Sequence, residues 1–167
     1  MKILEILYYS GFFLALAWAA VSDWRTGLIL DKLTLPLWIV GLPASIFFPV
    51  YYEAWWSSAL GSVLSFFGML LLARLGKIFA GREALGGGDI KLAAAMGAFL
   101  GLGQAWKGLV LGAFLGLPLM LIFLKIKGLK FRDPAPFGPG LCLGSALVLW
   151  NLLSQGALQP FFDRLGL

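Results

Sequence analysis

The fold depends most on one stretch in the middle of the chain, Gly86-Gly87-Gly88-Asp89-Ile90-Lys91-Leu92-Ala93-Ala94-Ala95-Met96-Gly97-Ala98-Phe99-Leu100-Gly101. Three glycines precede a carboxylate, and a run made largely of alanine and glycine follows it. Because glycine has no side chain, another backbone can come close to this run. The alanines and glycines predict a thin helix at the centre of its neighbours. A second carboxylate, Asp23, ends an earlier hydrophobic segment. A carboxylate beside a bilayer-spanning segment is costly and indicates a functional site.

The composition is that of an integral membrane protein. Of 167 residues, 60% are hydrophobic and 13% are charged, with a mean hydropathy of +0.91, whereas about a quarter of a soluble domain is charged. We expect one domain covering residues 1–167. There are no histidines and a single cysteine, Cys142, which excludes Ser-His-Asp and Cys-His catalysis and a Cys/His zinc site. We therefore expect no metal and no cofactor, and we interpret Cys142 as a small packing residue.

Uncharged windows predict an all-α fold, a bundle of about six transmembrane helices. The windows are residues 6–22, 33–52, 54–73, 92–106, 108–124 and 134–162. A spanning helix needs roughly 20 apolar residues; the fourth window is shorter, and in the sixth we expect Gly138–Ser154 to span. Small residues at helical spacing predict close contacts between helices. They are Gly108, Gly112 and Gly116 in the fifth window, and Ser58, Gly61, Ser62, Ser65 and Gly68 in the third.

Basic residues are distributed unequally between the two sides of this predicted bundle. With six spans, the connections after the first, third and fifth helices share one side, which holds Arg25, Lys32, Arg74, Lys77, Arg82, Lys91, Lys125, Lys127, Lys130 and Arg132. The other side keeps Lys2, Lys107 and Arg164. The positive-inside rule places the first side, with Asp23 and Asp89, in the cytoplasm. The net charge of +5 reflects this bias, so we expect contact with anionic membrane lipids and no nucleic-acid partner.

Three stretches resemble a family of bacterial membrane peptidases. The stretch Ser22-Asp23-Trp24-Arg25-Thr26-Gly27-Leu28-Ile29-Leu30-Asp31-Lys32-Leu33-Thr34-Leu35-Pro36 resembles the first catalytic region of the type IV prepilin peptidases. Residues 86–101 resemble the second region, which carries the G-x-G-D signature. The stretch Pro136-Phe137-Gly138-Pro139-Gly140-Leu141 is similar to the proline-rich entry into the last helix of that family. The stretches follow one another in the family's order and spacing.

The resemblance implies a multi-pass aspartyl endopeptidase of the bacterial inner membrane. Such an enzyme removes, at the cytoplasmic side, the leader of prepilins of type IV pili or of pseudopilins of type II secretion. The substrate would present its N-terminal leader and its hydrophobic helix, and Asp23 and Asp89 match the two aspartates of the family. Members commonly carry Ile-Pro-Asn where this chain has Ile29-Leu30-Asp31, so Asp31 is an additional candidate carboxylate. Bifunctional members also carry an N-terminal cytoplasmic domain that N-methylates the product. Nothing here corresponds to that domain, so we expect the short, peptidase-only form or a chain trimmed to that core.

The chemistry of two carboxylates follows from their charge. Two of them close together cannot both ionise cheaply, so the pKa of one rises and the pair shares a proton. The ionised carboxylate takes a proton from water while the protonated one polarises the scissile carbonyl; which aspartate is the acid and which the base stays open.

Around this dyad we expect a set of residues that shape the site and bind substrate: Gly86, Gly87, Gly88, Lys91, Pro136, Phe137, Gly138 and Pro139. The glycines would let an extended substrate backbone reach Asp89. Lys91 has two interpretations. It holds down the pKa of a carboxylate or attracts acidic groups of the substrate, or it anchors the start of a helix at the cytoplasmic face.

Other functions use the same residues. Pairs of membrane carboxylates serve as proton relays in transporters, and a small polytopic transporter or a scaffold of a secretion machine is the alternative. A relay needs groups distributed through the depth of the membrane, whereas both aspartates are predicted near one face. No inverted repeat relates the two halves of the sequence. A leader-cleavage assay distinguishes these functions.

Overall fold

A computed structural model describes the backbone of residues 2–47, 55–80, 85–129, 133 and 135–165. In these ranges the chain forms five α-helices: α1 Lys2–Thr26, α2 Asp31–Phe47, α3 Trp55–Ala80, α4 Gly87–Lys127 and α5 Gly138–Leu165. The described residues contain no β-strand, which confirms the all-α prediction. The basic residues Arg82, Lys130 and Arg132, and the connections at 48–54 and 81–84, lie outside the described residues.

Two described helices are long and apolar enough to cross a membrane, residues Trp56–Ile78 of α3 and the whole of α4. A straight helix of 41 residues, the length of α4, would extend about 60 Å, twice the thickness of the hydrocarbon core. However, α4 is interrupted at Gly101, where the backbone has φ 74° and ψ 173°. We call residues 87–100 the first arm of α4 and residues 102–127 its second arm.

The two arms fold back on each other. In a straight helix, positions 96 and 108 would lie about 18 Å apart, yet both contact Ser145 of α5. The Ser145 hydroxyl donates to the Met96 sulfur at 3.1 Å, and a methyl group built on Gly108 would lie 3.0 Å from the same hydroxyl oxygen. The freed amide of Leu102 donates to the hydroxyl oxygen of Ser57 in α3 at 3.0 Å, so the break leaves this polar group satisfied.

This geometry corrects one detail of the sequence prediction. The fourth and fifth windows, residues 92–106 and 108–124, lie in one element, and the described chain has five helices and not six separate ones. The windows were divided at the charge of Lys107, but Lys107 lies inside the second arm. The interruption falls at Gly101 because a φ of 74° with an extended ψ is open to glycine and strained for other residues.

The first arm is the centre of the bundle, as its small side chains predict. All residues from Leu92 to Gly101 are buried. From α1, the rings of Tyr8 and Phe12 stack on Phe99, with centroid distances of 4.8 and 4.2 Å. From α2, Gly41 faces the same ring: a methyl group there would meet it at 2.7 Å.

Both predicted small-residue faces make backbone contacts, which confirms that part of the prediction. A methyl group on Gly97 would lie 2.3 Å from the Gly61 carbonyl oxygen of α3. The glycines of the second arm contact α5 and the residue before it. Gly108 faces Ser145, Gly112 faces Leu141 and Gly140, and Gly116 faces Phe137 and Gly140. These pairs run in opposite directions along the two chains, so the second arm and α5 are antiparallel. Close approach of backbones without side chains holds the bundle together.

The break in α4 can be tested by substituting Gly101. Gly101→Ala should lower the free energy of unfolding by about 1–3 kcal/mol, because alanine is strained at this φ and ψ. The control is Gly11→Ala, since a methyl group on Gly11 has no atom within 4 Å and alanine is favoured in a helix interior by roughly 0.5–1 kcal/mol. Unfolding of the purified variants in detergent gives the comparison. Equal stability of the two variants would contradict a strained backbone at residue 101.

Candidate active site

Asp23 lies in the last turn of α1 and is buried, with 5% of its surface exposed. Its Oδ2 accepts a hydrogen bond from the backbone N–H of Gly138 at 2.8 Å. Gly138 is the first residue of α5, so the carboxyl group of one helix caps the N-terminus of another. The unpaired N–H groups and the positive end of the helix dipole at that position stabilise a negative charge. The sequence predicted both residues for the site, and the structure brings them together.

Asp89 lies in the first turn of α4 and is also buried, with 7% exposed. Its Oδ2 accepts a hydrogen bond from the N–H of Gly86, the N-cap residue, at 3.2 Å. Within the described part of the chain, its other oxygen, Oδ1, is buried and has no hydrogen-bond partner. An unsatisfied buried acceptor costs free energy, and such groups in native structures call for an explanation such as a catalytic role or an unobserved water.

The two carboxyl groups face one site. Gly138, which donates to Asp23, and Gly88, which directly precedes Asp89, both lie against Ile29, so the two carboxyl groups are near each other although the residues are far apart in sequence. Each carboxyl has one backbone N–H donor, and no ion pair to either is found among the described residues. Two buried carboxyls without a neighbouring cation cannot both be ionised cheaply. The arrangement can therefore hold one proton between two groups and transfer it.

Ile29 lies between the two loops that carry these donors. A methyl group on Gly88 would lie 2.9 Å from Ile29 Cβ, and one on Gly138 would lie 2.9 Å from Ile29 Cδ1. Ile29 is 8% exposed, whereas its neighbours Leu28 and Leu30 are 70% and 47% exposed. The sequence did not single out Ile29, because three consecutive apolar residues carry no signal for which one is buried.

The three glycines before Asp89 differ in how closely other atoms approach them. The backbone that approaches it is that of Ile29, whose carbonyl oxygen and nitrogen would lie 3.2 and 3.4 Å from a methyl group on Gly88. A methyl group on Gly86 would be in ordinary contact with the Asp89 carboxyl at 3.5 Å, and one on Gly87 would have no atom within 4 Å. The steric requirement for glycine is therefore at Gly88.

Asp31 and Lys91 form an ion pair at the edge of the site. The Lys91 Nζ lies 2.7 Å from both carboxylate oxygens of Asp31, and the two side chains are 56% (Asp31) and 41% (Lys91) exposed. The pair joins the first residue of α2 to the fifth residue of α4. Asp31, which the sequence left as an additional candidate carboxylate, is thus held by a cation on the surface and is not a third member of the buried pair.

The proline-rich stretch forms the start of α5. Pro136 and Pro139 are buried; Pro139 is the second residue of the helix, where its missing N–H costs no helical hydrogen bond. The ring of Phe137 packs against the second arm, since a methyl group on Gly116 would meet it at 2.9 Å. Within this stretch, only Gly138 donates to an aspartate.

Cys142 lies one helical turn after Gly138 and is 3% exposed, which confirms its prediction as a buried residue. The N–H of Gly138, one turn earlier on α5, donates to the Asp23 carboxyl, so Cys142 lies one helical turn from the residue that binds Asp23. The thiol therefore lies near the carboxyl pair. The apolar residues around Cys142 in the sequence did not indicate this position. Among the described side chains, no group of three His, Cys, Asp or Glu residues could hold a metal ion.

Comparison with known proteins shows the family to which the chain belongs. Residues 10–127 match the type IV leader peptidase family, and the chain belongs to that family. It is 39% identical over 153 residues to the prepilin leader peptidase/N-methyltransferase of Dickeya chrysanthemi, covering 89% of this chain and 51% of the relative. The protein of the same name from Dichelobacter nodosus is 32% identical over 156 residues, covering 91% and 52%. That of Burkholderia pseudomallei strain 1026b is 31% identical over 140 residues, covering 84% and 45%.

The chain thus spans about half the length of the curated relatives it matches. No solved structure matches it. The two apolar helices, together with the family, indicate a protein of the inner membrane.

Because other atoms approach Gly88 closely and do not approach Gly87, alanine substitutions at these two glycines test the site geometry. Gly88→Ala should lower the free energy of unfolding by roughly 1–3 kcal/mol, since the added methyl overpacks against Ile29. Gly87→Ala, one residue earlier in the same helical turn, should leave stability unchanged, because the added methyl meets no other atom. Denaturation of both variants in the same detergent measures the difference. A Gly87→Ala variant as unstable as Gly88→Ala would contradict the contact with Ile29.

Proposed function

We propose that this protein is a membrane aspartyl endopeptidase in which Asp23 and Asp89 form the catalytic dyad. The observation that carries this proposal is that two buried carboxyls from distant parts of the chain lie on either side of the same residue, Ile29, with no cation beside them among the described residues. Structural carboxylates in a protein interior are normally paired with a cation. A pair left without one is suited to sharing a proton, as in aspartic proteases.

The two backbone donors determine which carboxyl oxygens are already hydrogen-bonded. Gly138 and Gly86 each occupy one oxygen of a carboxyl, Oδ2 in both residues. The free Oδ1 of Asp89 is then available to a water molecule or to the substrate carbonyl. The ionised member of the dyad accepts a proton from water, and the water oxygen bonds to the carbonyl carbon as the protonated member gives its proton to the carbonyl oxygen. When the C–N bond breaks, the nitrogen takes a proton from the dyad, and the products are a new carboxyl and a new amine.

The proposed substrate is the leader sequence of a prepilin or of a pseudopilin. This proposal is supported by membership of the type IV leader peptidase family and by relatives that are named prepilin leader peptidases. A proton relay is less well supported, because both carboxyls lie at one end of the bundle, at the end of α1 and the start of α4.

We further propose that the bundle crosses the membrane six times, with the two arms of α4 counted as separate spans. The antiparallel arms of α4 support this count. The dyad, Arg25, Lys32 and the cations at the end of α4 would then lie at the cytoplasmic face, as the positive-inside rule expects. Lys107 and Trp150 would lie near the opposite face.

Removing either charge of the dyad should abolish leader cleavage. Asp23→Asn and Asp89→Asn are nearly isosteric and remove only ionisation, so turnover should fall at least about 10²–10⁴-fold, the range that a general acid or base contributes. Purified variants in detergent are incubated with a prepilin, and the shortened product is measured by mass spectrometry.

The matched control is Asp31→Asn, which removes a carboxylate near the site but outside the buried pair. It should retain cleavage within a few-fold of the unmodified protein. Near-normal turnover of Asp23→Asn or Asp89→Asn would remove that residue from the dyad. Loss of activity in Asp31→Asn alone would move the chemistry to Asp31.

The six-span topology predicts which positions a membrane-impermeant thiol reagent can reach. In a Cys142→Ser background, cysteines at positions 28 and 129 should react only when the cytoplasmic face is open, and a cysteine at position 107 only from outside. Labelling in intact cells and in inverted vesicles measures this. If position 107 reacted from the same side as position 28, the two arms of α4 would not be separate spans.

A further inference from the structure

A cavity of about 830 Å³ opens between the second arm of α4 and α5, at the end of the bundle opposite the dyad. The two helices are in backbone contact from Gly116 to Gly108, against residues 137–145 of α5. The cavity lies toward the far end of these contacts, between residues 104–111 of the second arm and residues 147–152 of α5. Its volume is that of a site for a small molecule or a lipid.

The lining of the cavity combines polar and apolar side chains. Gln104, Lys107 and Asn151 supply amide groups and a positive charge. The other lining residues are apolar, Val110, Leu147 and Trp150 among them. A lining of this kind matches a molecule that has an anionic head and a hydrocarbon tail.

This cavity is separate from the candidate active site. Gly138, which donates to Asp23, and Asn151 lie about 20 Å apart along α5 at the rise of an α-helix. The proposed topology places the cavity at the outer membrane–water boundary. Trp106 and Trp150, both cavity residues, are 39% and 67% exposed, and tryptophan is enriched at that depth.

The charge of Lys107 is unusual for its position. Ten of the thirteen basic residues fall on the predicted cytoplasmic side, and Lys107 is one of three that do not. Among the described residues it has no ion-pair partner. A lysine on the outer side works against the orientation bias, and a phosphate in the adjoining cavity would compensate its charge.

We propose that this cavity binds one anionic phospholipid of the outer leaflet. The phosphate lies on the Lys107 ammonium, the amides of Gln104 and Asn151 donate to headgroup oxygens, and an acyl chain lies against Val110, Leu147 and Trp150. The inference goes beyond the proposed peptidase function and uses no residue of the dyad; its assignment to the outer leaflet rests on the proposed six-span topology. A tightly held lipid here would join the second arm to α5.

The test is native mass spectrometry of the protein in detergent with added phosphatidylglycerol. Phosphatidylcholine with the same acyl chains tests the headgroup, diacylglycerol tests the tail alone, and glycerol phosphate tests free phosphate. One phosphatidylglycerol should be retained per protein, with at least about tenfold weaker retention of the other three, which corresponds to about 1.4 kcal/mol. Lys107→Gln should lose this preference, and Lys107→Arg should keep it. The control Lys125→Gln removes a cation at the other end of the same arm and should have no effect.

A second pair of variants tests the apolar part of the cavity without changing charge. Leu147→Trp adds bulk to a side chain that lines the cavity and should reduce phosphatidylglycerol retention at least about tenfold. Leu143→Trp, one turn earlier on α5, is the control, because Leu143 is similarly exposed, 47% against 51%, and does not line the cavity. If Lys107→Gln fails to fold, the comparison of Leu147→Trp with Leu143→Trp still tests whether the cavity binds the lipid.

Several results would overturn the proposal. Equal retention of phosphatidylglycerol and phosphatidylcholine would show that no headgroup site exists. Competition by glycerol phosphate at the concentration of the lipid would identify a phosphate site and not a lipid site. Unchanged retention in both Lys107→Gln and Leu147→Trp would place the lipid elsewhere on the protein.

Discussion

Two backbone hydrogen bonds at helix N-termini determine how this bundle is arranged. Asp23 can be buried because the first N–H of α5 meets it, and Asp89 because the N–H that precedes α4 meets it. A buried carboxyl group without a donor would cost several kcal/mol. The end of α1 must therefore meet the start of α5 and lie beside the start of α4. The rest of the bundle has to bring those three helix ends to one place, and Ile29 fills the space between them.

The first arm of α4 makes this convergence possible because it has almost no side chains. Alanines and glycines let the surrounding helices approach its backbone, and in a membrane such contacts, rather than hydrophobic burial, hold helices together. The reversal at Gly101 then returns the chain to the end of the bundle that holds Asp23 and Asp89, where the second arm lies against the start of α5. The interrupted helix α4 thus forms the centre of the bundle with its first arm, and its second arm supports α5, whose first N–H donates to Asp23.

Much of this could be predicted from the sequence, and the exceptions have a common cause. The small-residue faces, the burial of Cys142 and the central position of residues 92–101 follow from local composition, which the sequence shows directly. The family resemblance predicted that Asp23 and Gly138 belong to one site, whereas the hydrogen bond between them is known only from the structure. By contrast, the break at Gly101, the burial of Ile29 and the pairing of Asp31 with Lys91 depend on contacts between distant segments. In the sequence, the charge of Lys107 suggests that a helix ends there, although in the structure the helix continues through this residue.

The single cysteine of the chain provides an internal spectroscopic reporter. The Cys142 thiol lies one helical turn after Gly138, whose N–H donates to Asp23, so the frequency of its S–H stretching vibration depends on the electric field of the nearby carboxyl groups. That vibration absorbs in an infrared region where water and protein are nearly transparent. Gain or loss of a proton by the carboxyl pair should therefore be visible in the unmodified protein, in a lipid bilayer and without any added label.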